Sequence, residues 1–425
     1  MPYSNIFNTY DWIEAWRMAF RLPSKQWGAV ARALDDRFVL PPLLAALEAF
    51  GMGAPLMELR RGTSAGLKLM SRLAEPHEKP QFGIERVMVD GDESLVTETV
   101  ETESDFCRLL RFRIEGRSDA PRVLLVAPMA GHYATLLRET VRGLLPSYDV
   151  WITDWANARD VPMSHGGFDL DDYIDQLISF LTELSGVHVV AVCQAGVPSL
   201  AALALMEADP SCKDCLPASL TMMGSPIDIG QSPTEVNSLA TSKDDDWFAD
   251  TMITVVPDDF PGAHRAVYPG YMQLTAFVAM NPARHAKSVH DALHHFADGD
   301  FESAEKIDSF YGEFLSTMDL TAEFYLQTVE KIFRDNQLAK GEFVARGRKV
   351  DLRQIHQTPL LAVEGEKDDI TGLGQTRAAL DLATELDSGA KHYFMLEDSG
   401  HYGLFSGSRF RDQVVPEIMR FHAAT

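Results

Sequence analysis

Short apolar runs alternate with helical repeats along most of the chain from residue 84 onward. A turn at Asp90-Gly91-Asp92 separates the first two runs, which predicts that the sheet opens with a hairpin. The predicted strands are Ile84–Val89, Leu95–Thr99, Leu109–Ile114, Val123–Ala127, Val150–Ile152, Val189–Val192, Ser219–Met223, Leu360–Val363 and Tyr393–Leu396. Apolar strands that alternate with helices are typical of an α/β fold, a mostly parallel sheet with helices on both faces.

Helical periodicity marks the segments between these strands. The predicted helices are Tyr133–Leu145, Leu170–Leu184, a segment that ends near Glu207, and Val414–Phe421. The alternation stops between residues 231 and 350, where aromatic and helix-forming residues dominate and no clear strand run occurs. We therefore predict an α/β core at 81–230 and 351–425, with 231–350 inserted as a helical lid or cap.

The first 80 residues are predicted to form a separate helical extension. Trp12, Ile13, Trp16 and Phe20 recur at helical spacing and would give one helix an aromatic face. Two interpretations stay open for this face. It packs on the main domain, or it docks on an apolar surface outside the protein.

The charge balance narrows the classes of partner. The chain has 425 residues, with Lys+Arg 38 against Asp+Glu 62 and a net charge of −24. Nucleic acids would be repelled by such a chain unless it carried a local basic patch, and the sequence has no long basic block. We therefore expect no nucleic-acid partner. A hydrophobic fraction of 46% is ordinary for a globular protein with a sizeable core.

The sequence shows no clear signal peptide, membrane span or disulfide framework. The segment MPYSNIFNTYDWIEAWR lacks a basic start followed by an apolar run, so no signal peptide is expected. The uncharged stretch Val189–Met206 is near the length of a membrane span, but it reads better as a buried strand followed by a buried helix. Four cysteines do not make a disulfide framework. We expect a cytoplasmic protein without a membrane span.

The most informative position is Cys193, where an apolar strand runs directly into the small residues Ala195 and Gly196. A tight turn between strand and helix can hold a nucleophile clear of the sheet, and small neighbours make room for that turn. The helix N-terminus behind it favours a thiolate and directs backbone N–H groups at an oxyanion. The alternative is a buried and unreactive cysteine.

Two later segments supply partners for a cysteine nucleophile. Asp368 lies just past a strand in LLAVEGEKDDI, and His401 follows the last strand in HYFMLEDSGHYG. The order nucleophile, acid and histidine, each beyond a strand end, is that of an α/β-hydrolase triad. We predict Cys193 as nucleophile, His401 as base and then acid, and Asp368 as its orienting group. Asp369 is the rival acid, and Asp368 is preferred because it is nearer the strand end.

The oxyanion donors are predicted from the same logic. The backbone N–H of Gln194 follows the nucleophile, and a second N–H near Met129 would come from the loop PMAGHYATLLR. His132 in this loop is predicted either to orient substrate or to make a structural hydrogen bond.

Three other motifs resemble functional sites less well. Gly62-Thr63-Ser64-Ala65-Gly66 matches Gly-x-Ser-x-Gly, but no strand precedes the serine. The pair Cys212 and Cys215 has metal or redox spacing without a second pair. His290, His294 and His295 lack the acidic residue of a zinc-protease motif and a third ligand. We predict no metal site.

Several segments together resemble one family of enzymes. They are VAVCQAGVPSL, TMMGSPID, APMAGHYATLLRETV, ITDWANARDVP, FDLDDYI, VEGEKDDI and GHYGLFSG. They are similar to intracellular polyhydroxyalkanoate depolymerases, α/β-hydrolases with a cysteine nucleophile that act on stored poly(3-hydroxybutyrate). The resemblance covers about residues 80 to 425 and places the family's triad at Cys193, Asp368 and His401.

The resemblance implies a hydrolase that cleaves polyester bonds through an acyl-cysteine intermediate, at a storage granule, with no cofactor. Aromatic residues of the insertion would line an apolar channel for one polymer strand, or simply pack the lid. Those residues are Trp247, Phe248, Tyr268, Tyr271 and Phe277, of which Trp247 and Tyr271 are the preferred substrate contacts. The sequence does not predict the oligomeric state.

Two alternatives stay open. Polyhydroxyalkanoate synthases are related acyltransferases with the same triad, and AEFYLQTVEKIFRDNQLAKGEF resembles both groups. Synthases usually carry Gly-x-Cys-x-Gly, whereas this chain has Ala191 and Ala195 in those places and only 192 residues before Cys193. The second alternative is a non-catalytic granule-binding protein, which would have no use for an intact triad.

Overall fold

The structure is a computed structural model that describes residues 79–270, 272–273 and 316–425. Gln81–Gly270 and Met318–Thr425 form one compact unit of the chain. The fold and the candidate site described below belong to this unit.

A nine-stranded sheet forms the centre of the unit. Its strands are β1 (Arg86–Val89), β2 (Asp92–Glu103), β3 (Cys107–Ile114), β4 (Arg122–Val126), β5 (Asp149–Trp155), β6 (His188–Val192), β7 (Ser219–Met223), β8 (Leu360–Gly365) and β9 (Lys391–Leu396). Their order across the sheet is β1-β2-β3-β5-β4-β6-β7-β8-β9. The three pairs from β1 to β5 are antiparallel, and every pair from β5 to β9 is parallel.

Burial follows this change in pairing. All residues of β5 and β7 are buried, because helices cover both faces of the parallel part. In contrast, β1 and β2 alternate between exposed and half-buried positions, as expected for antiparallel strands with a solvent face. The apolar core therefore surrounds the parallel strands, whose carboxyl ends share one edge of the sheet.

The α-helices of four or more residues in the described part of the chain have the following bounds: α1 Arg138–Leu144, α2 Leu170–Glu183, α3 Gly196–Glu207, α4 Glu235–Ser242, α5 Asp245–Met252, α6 Ala322–Thr328, α7 Gln337–Lys340, α8 Ala378–Leu382 and α9 Val415–Ala424. A capping box formed by Asp169 and Asp172 starts α2. Nearly every residue of α3 is buried, which explains why its sequence is apolar on all sides.

The predicted α/β-hydrolase fold is confirmed. Each predicted strand is present, and most extend by one to several residues beyond the apolar run. The segment Tyr133–Leu145 is not one helix, because a 3-10 turn at Ala134–Leu137 precedes α1. The last helix begins with the π-helical turn Phe410–Val414 before α9.

The described part of the predicted insertion is not wholly helical, contrary to expectation. The short strands Thr254–Val255, Ala266–Tyr268 and Leu320–Thr321 form a three-stranded sheet, and Val344–Ala345 pairs with Arg348–Lys349. Strands of two or three residues are too short to produce an alternating pattern that a sequence can display. Residues 231–270 and 318–350 belong to the same compact unit as the core, and the role of the insertion as a lid stays a prediction.

The predicted helical extension at 1–80 lies almost entirely outside the described residues, as do the Gly62–Gly66 motif and His290, His294 and His295. Across residues 79–270, 272–273 and 316–425, no helix combines the length and the apolar character that crossing a bilayer requires.

Candidate active site

Cys193 stands at a sharp turn between β6 and α3. Its φ of +55° lies in the left-handed region that non-glycine residues rarely adopt, and the 3-10 turn Cys193–Ala195 leads straight into the helix. A Cβ at Gly196 would lie 2.1 Å from Ser225 Oγ, so only glycine lets the helix approach β7 this closely. Such strained turns cluster at functional sites, where the surrounding structure holds them in place.

His401 lies next to this turn, in the segment that follows the edge strand β9. It opens the 3-10 turn His401–Leu404 after β9, and its Nδ1 lies 2.7 Å from Asp368 Oδ2. The side chains are almost completely buried, with 4% of His401 and 1% of Asp368 exposed. The Cys193 sulfur lies close enough to His401 to influence the ionisation of its imidazole. The structure thus brings together the three residues that the sequence singled out.

The Asp368 carboxylate is oriented by its own loop. Its Oδ1 accepts hydrogen bonds from the backbone N–H groups of Ile370, at 2.9 Å, and Thr371, at 2.8 Å. Its other oxygen is thereby directed at the imidazole. Asp369, the rival candidate, is an exposed residue and is not the carboxylate that bonds His401. The geometry therefore favours Asp368 as the orienting acid.

The electrostatics of the pair favour a cationic imidazole. Burial opposes the charged form, but the Asp368 carboxylate and the Cys193 sulfur together raise the pKa of His401 well above its usual value. An imidazolium in this position stabilises negative charge that develops on a neighbouring sulfur. The arrangement can therefore support nucleophilic attack by a thiolate.

Gly224 is a site residue that the sequence did not single out. It follows β7 with φ +59°, and a Cβ there would lie 3.0 Å from His401 Cε1. The Thr371 hydroxyl donates to the Gly224 carbonyl at 2.9 Å, which ties this backbone to the Asp368 loop. A glycine directly after a predicted strand was the only available signal, in the segment TMMGSPID.

A buried glutamate supports the Asp368 loop from beneath. Glu364 is the fifth residue of β8, and its carboxylate accepts N–H groups from Gly374, Thr376 and Arg377. It also accepts the Tyr393 hydroxyl at 2.9 Å. Because a carboxylate with this many donors is firmly fixed, the loop that carries Asp368 has a rigid base.

The loop predicted to supply an oxyanion donor begins at a well-anchored point. The Ala127 carbonyl, just past β4, accepts from Trp155 Nε1 at 2.8 Å and from the Tyr173 hydroxyl at 2.9 Å. Two residues later, the Met129 N–H donates to Gln194 Oε1 at 3.3 Å. The predicted second donor is thus bonded to the Gln194 side chain in this structure, an arrangement that backbone reasoning could not predict. His132 is buried in the same loop.

The remaining candidates lie apart from these contacts or outside the described residues. Trp247 belongs to α5, where it packs edge-on against Phe248 and receives the Lys243 ammonium over its ring. Tyr268 is buried and stacks on Tyr325 at 3.8 Å. These contacts favour the packing interpretation of both aromatics. Tyr271 and Phe277 fall outside the described residues.

The Cys212 and Cys215 pair, which has metal or redox spacing, lies in the described part of the chain. The Cys215 thiol donates to the Cys212 carbonyl at 3.1 Å, and both residues are free thiols. Within the part of the chain that the structure describes, no group of three or more His, Cys, Asp or Glu side chains is arranged to hold a metal ion.

The fold and the site define an enzyme of the α/β-hydrolase type, with a cysteine after β6, an aspartate after β8 and a histidine after β9. Residues 224–425, just under half of the chain, match the family model described as the C-terminus of PHB de-polymerase, where PHB denotes poly(3-hydroxybutyrate). This segment contains Asp368 and His401.

Two curated relatives cover more of the chain. The poly(3-hydroxyalkanoate) polymerase subunit PhaC of Haloarcula marismortui is 23% identical over 322 residues, 73% of this chain and 62% of that protein. PhaC of Haloferax mediterranei is 25% identical over 334 residues, 74% of this chain and 61% of that protein. The chain thus spans about three fifths of the length of these relatives.

Among solved structures, a monoacylglycerol lipase of Paleococcus ferrophilus is 13% identical, with a TM-score of 0.41 over 75% of this chain and 98% of the other. The sequence matches relate the chain to polyhydroxyalkanoate proteins. They do not separate polymer degradation, which the family model names, from polymer synthesis, which the curated relatives' names describe.

Proposed function

We propose that the protein cleaves ester bonds of stored poly(3-hydroxybutyrate) or a similar short-chain polyhydroxyalkanoate, acting at storage granules in the cytoplasm. The observation that carries the proposal is the buried His401–Asp368 pair beside the half-buried Cys193 on an α/β-hydrolase sheet. The match of residues 224–425 to the family model of PHB de-polymerases supports the substrate class.

The first half of the proposed reaction is acyl transfer to sulfur. The Cys193 thiolate attacks the ester carbonyl, a C–S bond forms, and the carbonyl electron pair moves to oxygen. When the tetrahedral intermediate collapses, the C–O bond breaks and His401 gives its proton to the leaving alkoxide end of the polymer. Asp368 holds Nδ1 at 2.7 Å, so that the other ring nitrogen serves the sulfur and the leaving group.

The second half is hydrolysis of the acyl-cysteine. His401, now neutral, takes a proton from a water molecule as the water attacks the thioester. The new C–O bond forms, the C–S bond breaks, and the sulfur leaves as a thiolate beside the regenerated imidazolium. A 3-hydroxy acid or an oligomer of it is released. This sequence uses only protein groups and water, and it calls for no metal or organic cofactor.

Two features favour polymer degradation over polymer synthesis. The net charge of −24 disfavours a polyanionic thioester of coenzyme A, which a synthase uses as its substrate. Ala191 and Ala195 also replace the two glycines of the elbow motif usual in synthases.

A synthase-like acyltransferase is the second candidate. The names of both curated relatives favour it, since each is a poly(3-hydroxyalkanoate) polymerase subunit. The same acyl-cysteine would then be attacked by the hydroxyl end of a growing polymer instead of by water.

Product release from amorphous poly(3-hydroxybutyrate) granules tests the proposal. The full chain, Cys193→Ala and the matched surface control Cys212→Ala are compared for released 3-hydroxybutyrate and its oligomers. We expect the wild type and Cys212→Ala to release product and Cys193→Ala to release none above background. Release that survives in Cys193→Ala would contradict the assigned nucleophile.

The same preparations separate the alternatives. Polymer formation and free coenzyme A from 3-hydroxybutyryl-coenzyme A, without granule breakdown, would replace the depolymerase with the synthase-like acyltransferase. Sedimentation with granules and no turnover of either substrate would indicate the non-catalytic granule-binding protein.

A further inference from the structure

The side chain of Gln194 bridges the two loops that flank the candidate nucleophile. It belongs to the residue after Cys193, and its Oε1 accepts the Met129 N–H from the loop after β4 at 3.3 Å. These two loops are the ones from which an α/β-hydrolase draws its oxyanion donors. The carboxamide therefore lies between the positions where the donors of the site are expected.

The hydrogen bond from Met129 also fixes which way the carboxamide faces. An N–H donor can pair only with the amide oxygen, so Oε1 must be on the Met129 side and Nε2 on the other. Gln194 is 3% exposed, and Nε2 finds no acceptor among the residues that the structure describes. Burying an unpaired amide donor is unfavourable, so a buried and unpaired Nε2 in the residue after the candidate nucleophile calls for a functional explanation.

We propose that Gln194 Nε2 is an oxyanion donor of the active site, held in place by the Met129 N–H, which positions the carboxamide instead of contacting the substrate. The inference rests on the proposed role of Cys193. A side-chain amide can supply this stabilisation as well as a backbone N–H does, because the donor is preorganised where negative charge develops. The backbone N–H of Gln194 stays the first donor.

Two substitutions separate the donor from its support. Gln194→Glu keeps an oxygen that can accept the Met129 N–H but removes the Nε2 donor, and Gln194→Met removes both polar atoms without adding charge. Ser199→Ala is the matched control, since Ser199 is also buried near the start of α3 with an unpaired hydroxyl, but it lines a small apolar cavity with Leu177 and Leu203.

The readouts are the kcat and KM for p-nitrophenyl butyrate and the rate of Cys193 alkylation by iodoacetamide. We expect both Gln194 variants to lose about 10²-fold in kcat with little change in KM. Alkylation should be unchanged, because it needs the thiolate and no oxyanion donor. Ser199→Ala should match the wild type in every respect.

A kcat within about twofold of the wild type in Gln194→Met would overturn the inference, as would a loss of kcat that is matched by slower alkylation. No acylation of the wild type by p-nitrophenyl butyrate would also overturn it. Inactivity of the wild type toward granules alone would count against the proposed substrate and leave the donor assignment standing.

Discussion

Two glycines determine how closely the chain can pack around the candidate site at the scale of single residues. Gly224 lies against the His401 ring, and Gly196 lies against Ser225 at the start of α3. Neither makes a side-chain contact, and each matters because a methyl group in its place would collide with a neighbour. Their effects can be separated by substitution.

Gly224→Ala should impair the chemistry. The added Cβ would lie 3.0 Å from His401 Cε1, and φ +59° would cost about 1–2 kcal/mol of stability in a residue with a side chain. We expect kcat for p-nitrophenyl butyrate to fall by at least about tenfold, since small displacements of a catalytic group are costly.

The control for this variant is Gly186→Ala, which has a similar φ of +73° and open space around the new Cβ. It should lose stability to a similar extent and keep its kcat. Equal kcat values in the two variants would contradict the proposed contact between residue 224 and the imidazole.

Gly196→Ala should destabilise the elbow even though alanine is the better helix former. Gly196 has φ −62°, an ordinary helical value, so backbone preference alone predicts a gain in stability. The new Cβ would instead meet Ser225 Oγ at 2.1 Å and Ser225 Cβ at 2.4 Å, and such overpacking costs about 1–3 kcal/mol.

Urea unfolding measures this effect, with Gly167→Ala as its control. A Cβ at Gly167 meets only Glu323 Oε1 at 3.9 Å, an ordinary contact. A Gly196→Ala variant as stable as the control would show that α3 can shift away from β7.

The three main residues of the candidate site could be predicted from the sequence, because each follows a predicted strand. Cys193, Asp368 and His401 each follow an apolar run, and that pattern is local. The roles of Gly224 and of the Gln194 side chain depend on contacts between segments far apart in the chain, such as the bond from Met129 to Gln194. A single sequence does not show which distant segments come into contact.

At the scale of elements, the parallel strands explain why the site lies where it does. β6, β8 and β9 all end at the same edge of the sheet, so Cys193 and His401, which are more than two hundred positions apart, meet there. The strands were predictable because burial on both faces requires continuous apolar runs. The two- and three-residue strands between 254 and 349 were not, because they are too short to show periodicity.

The last helix, α9, is held by a cluster of aromatic rings that includes two ionisable histidines. His422 stacks on His188 of β6 at 4.0 Å and pairs with the Tyr148 hydroxyl at 2.9 Å. Burial, and then the neighbouring His188, lower the pKa of His422 from 6.5 to about 3. Burial also lowers the pKa of His188. Both rings are therefore neutral in the folded protein at neutral pH.

His422→Phe should make the protein less sensitive to acid. A histidine whose pKa is lowered by folding contributes stability above pH 6.5, and this contribution is lost as the pH falls toward 3. Phenylalanine keeps the ring stack and cannot be protonated. Between pH 6.5 and pH 4, the unfolding free energy of the variant should fall less steeply than that of the wild type, by about 1 kcal/mol per pH unit.

Phe421→Leu offers a matched control, since it removes a buried ring of α9 that has no ionisable group. Its pH dependence should follow that of the wild type. Parallel curves for His422→Phe and the wild type would contradict a neutral, buried His422.

At the scale of the whole molecule, the strongly acidic composition bears on the proposed substrate. Its net charge of −24 argues against polyanionic substrates but does not hinder a neutral polyester. The sequence matches are to polyhydroxyalkanoate proteins, one named for depolymerisation and the others for polymerisation. Hydrolysis and synthesis of the polymer would both pass through an acyl-cysteine, so the proposed function depends on this intermediate.

The most direct test is to trap that intermediate on the protein. The full chain is mixed with amorphous poly(3-hydroxybutyrate) granules, quenched in acid and digested, and each cysteine-containing peptide is weighed by mass spectrometry. We expect a 3-hydroxybutyryl group, or an oligomer of it, on the peptide that carries Cys193. Product release with Cys193 unmodified throughout the time course, or with the acyl group on Cys107, Cys212 or Cys215, would contradict it.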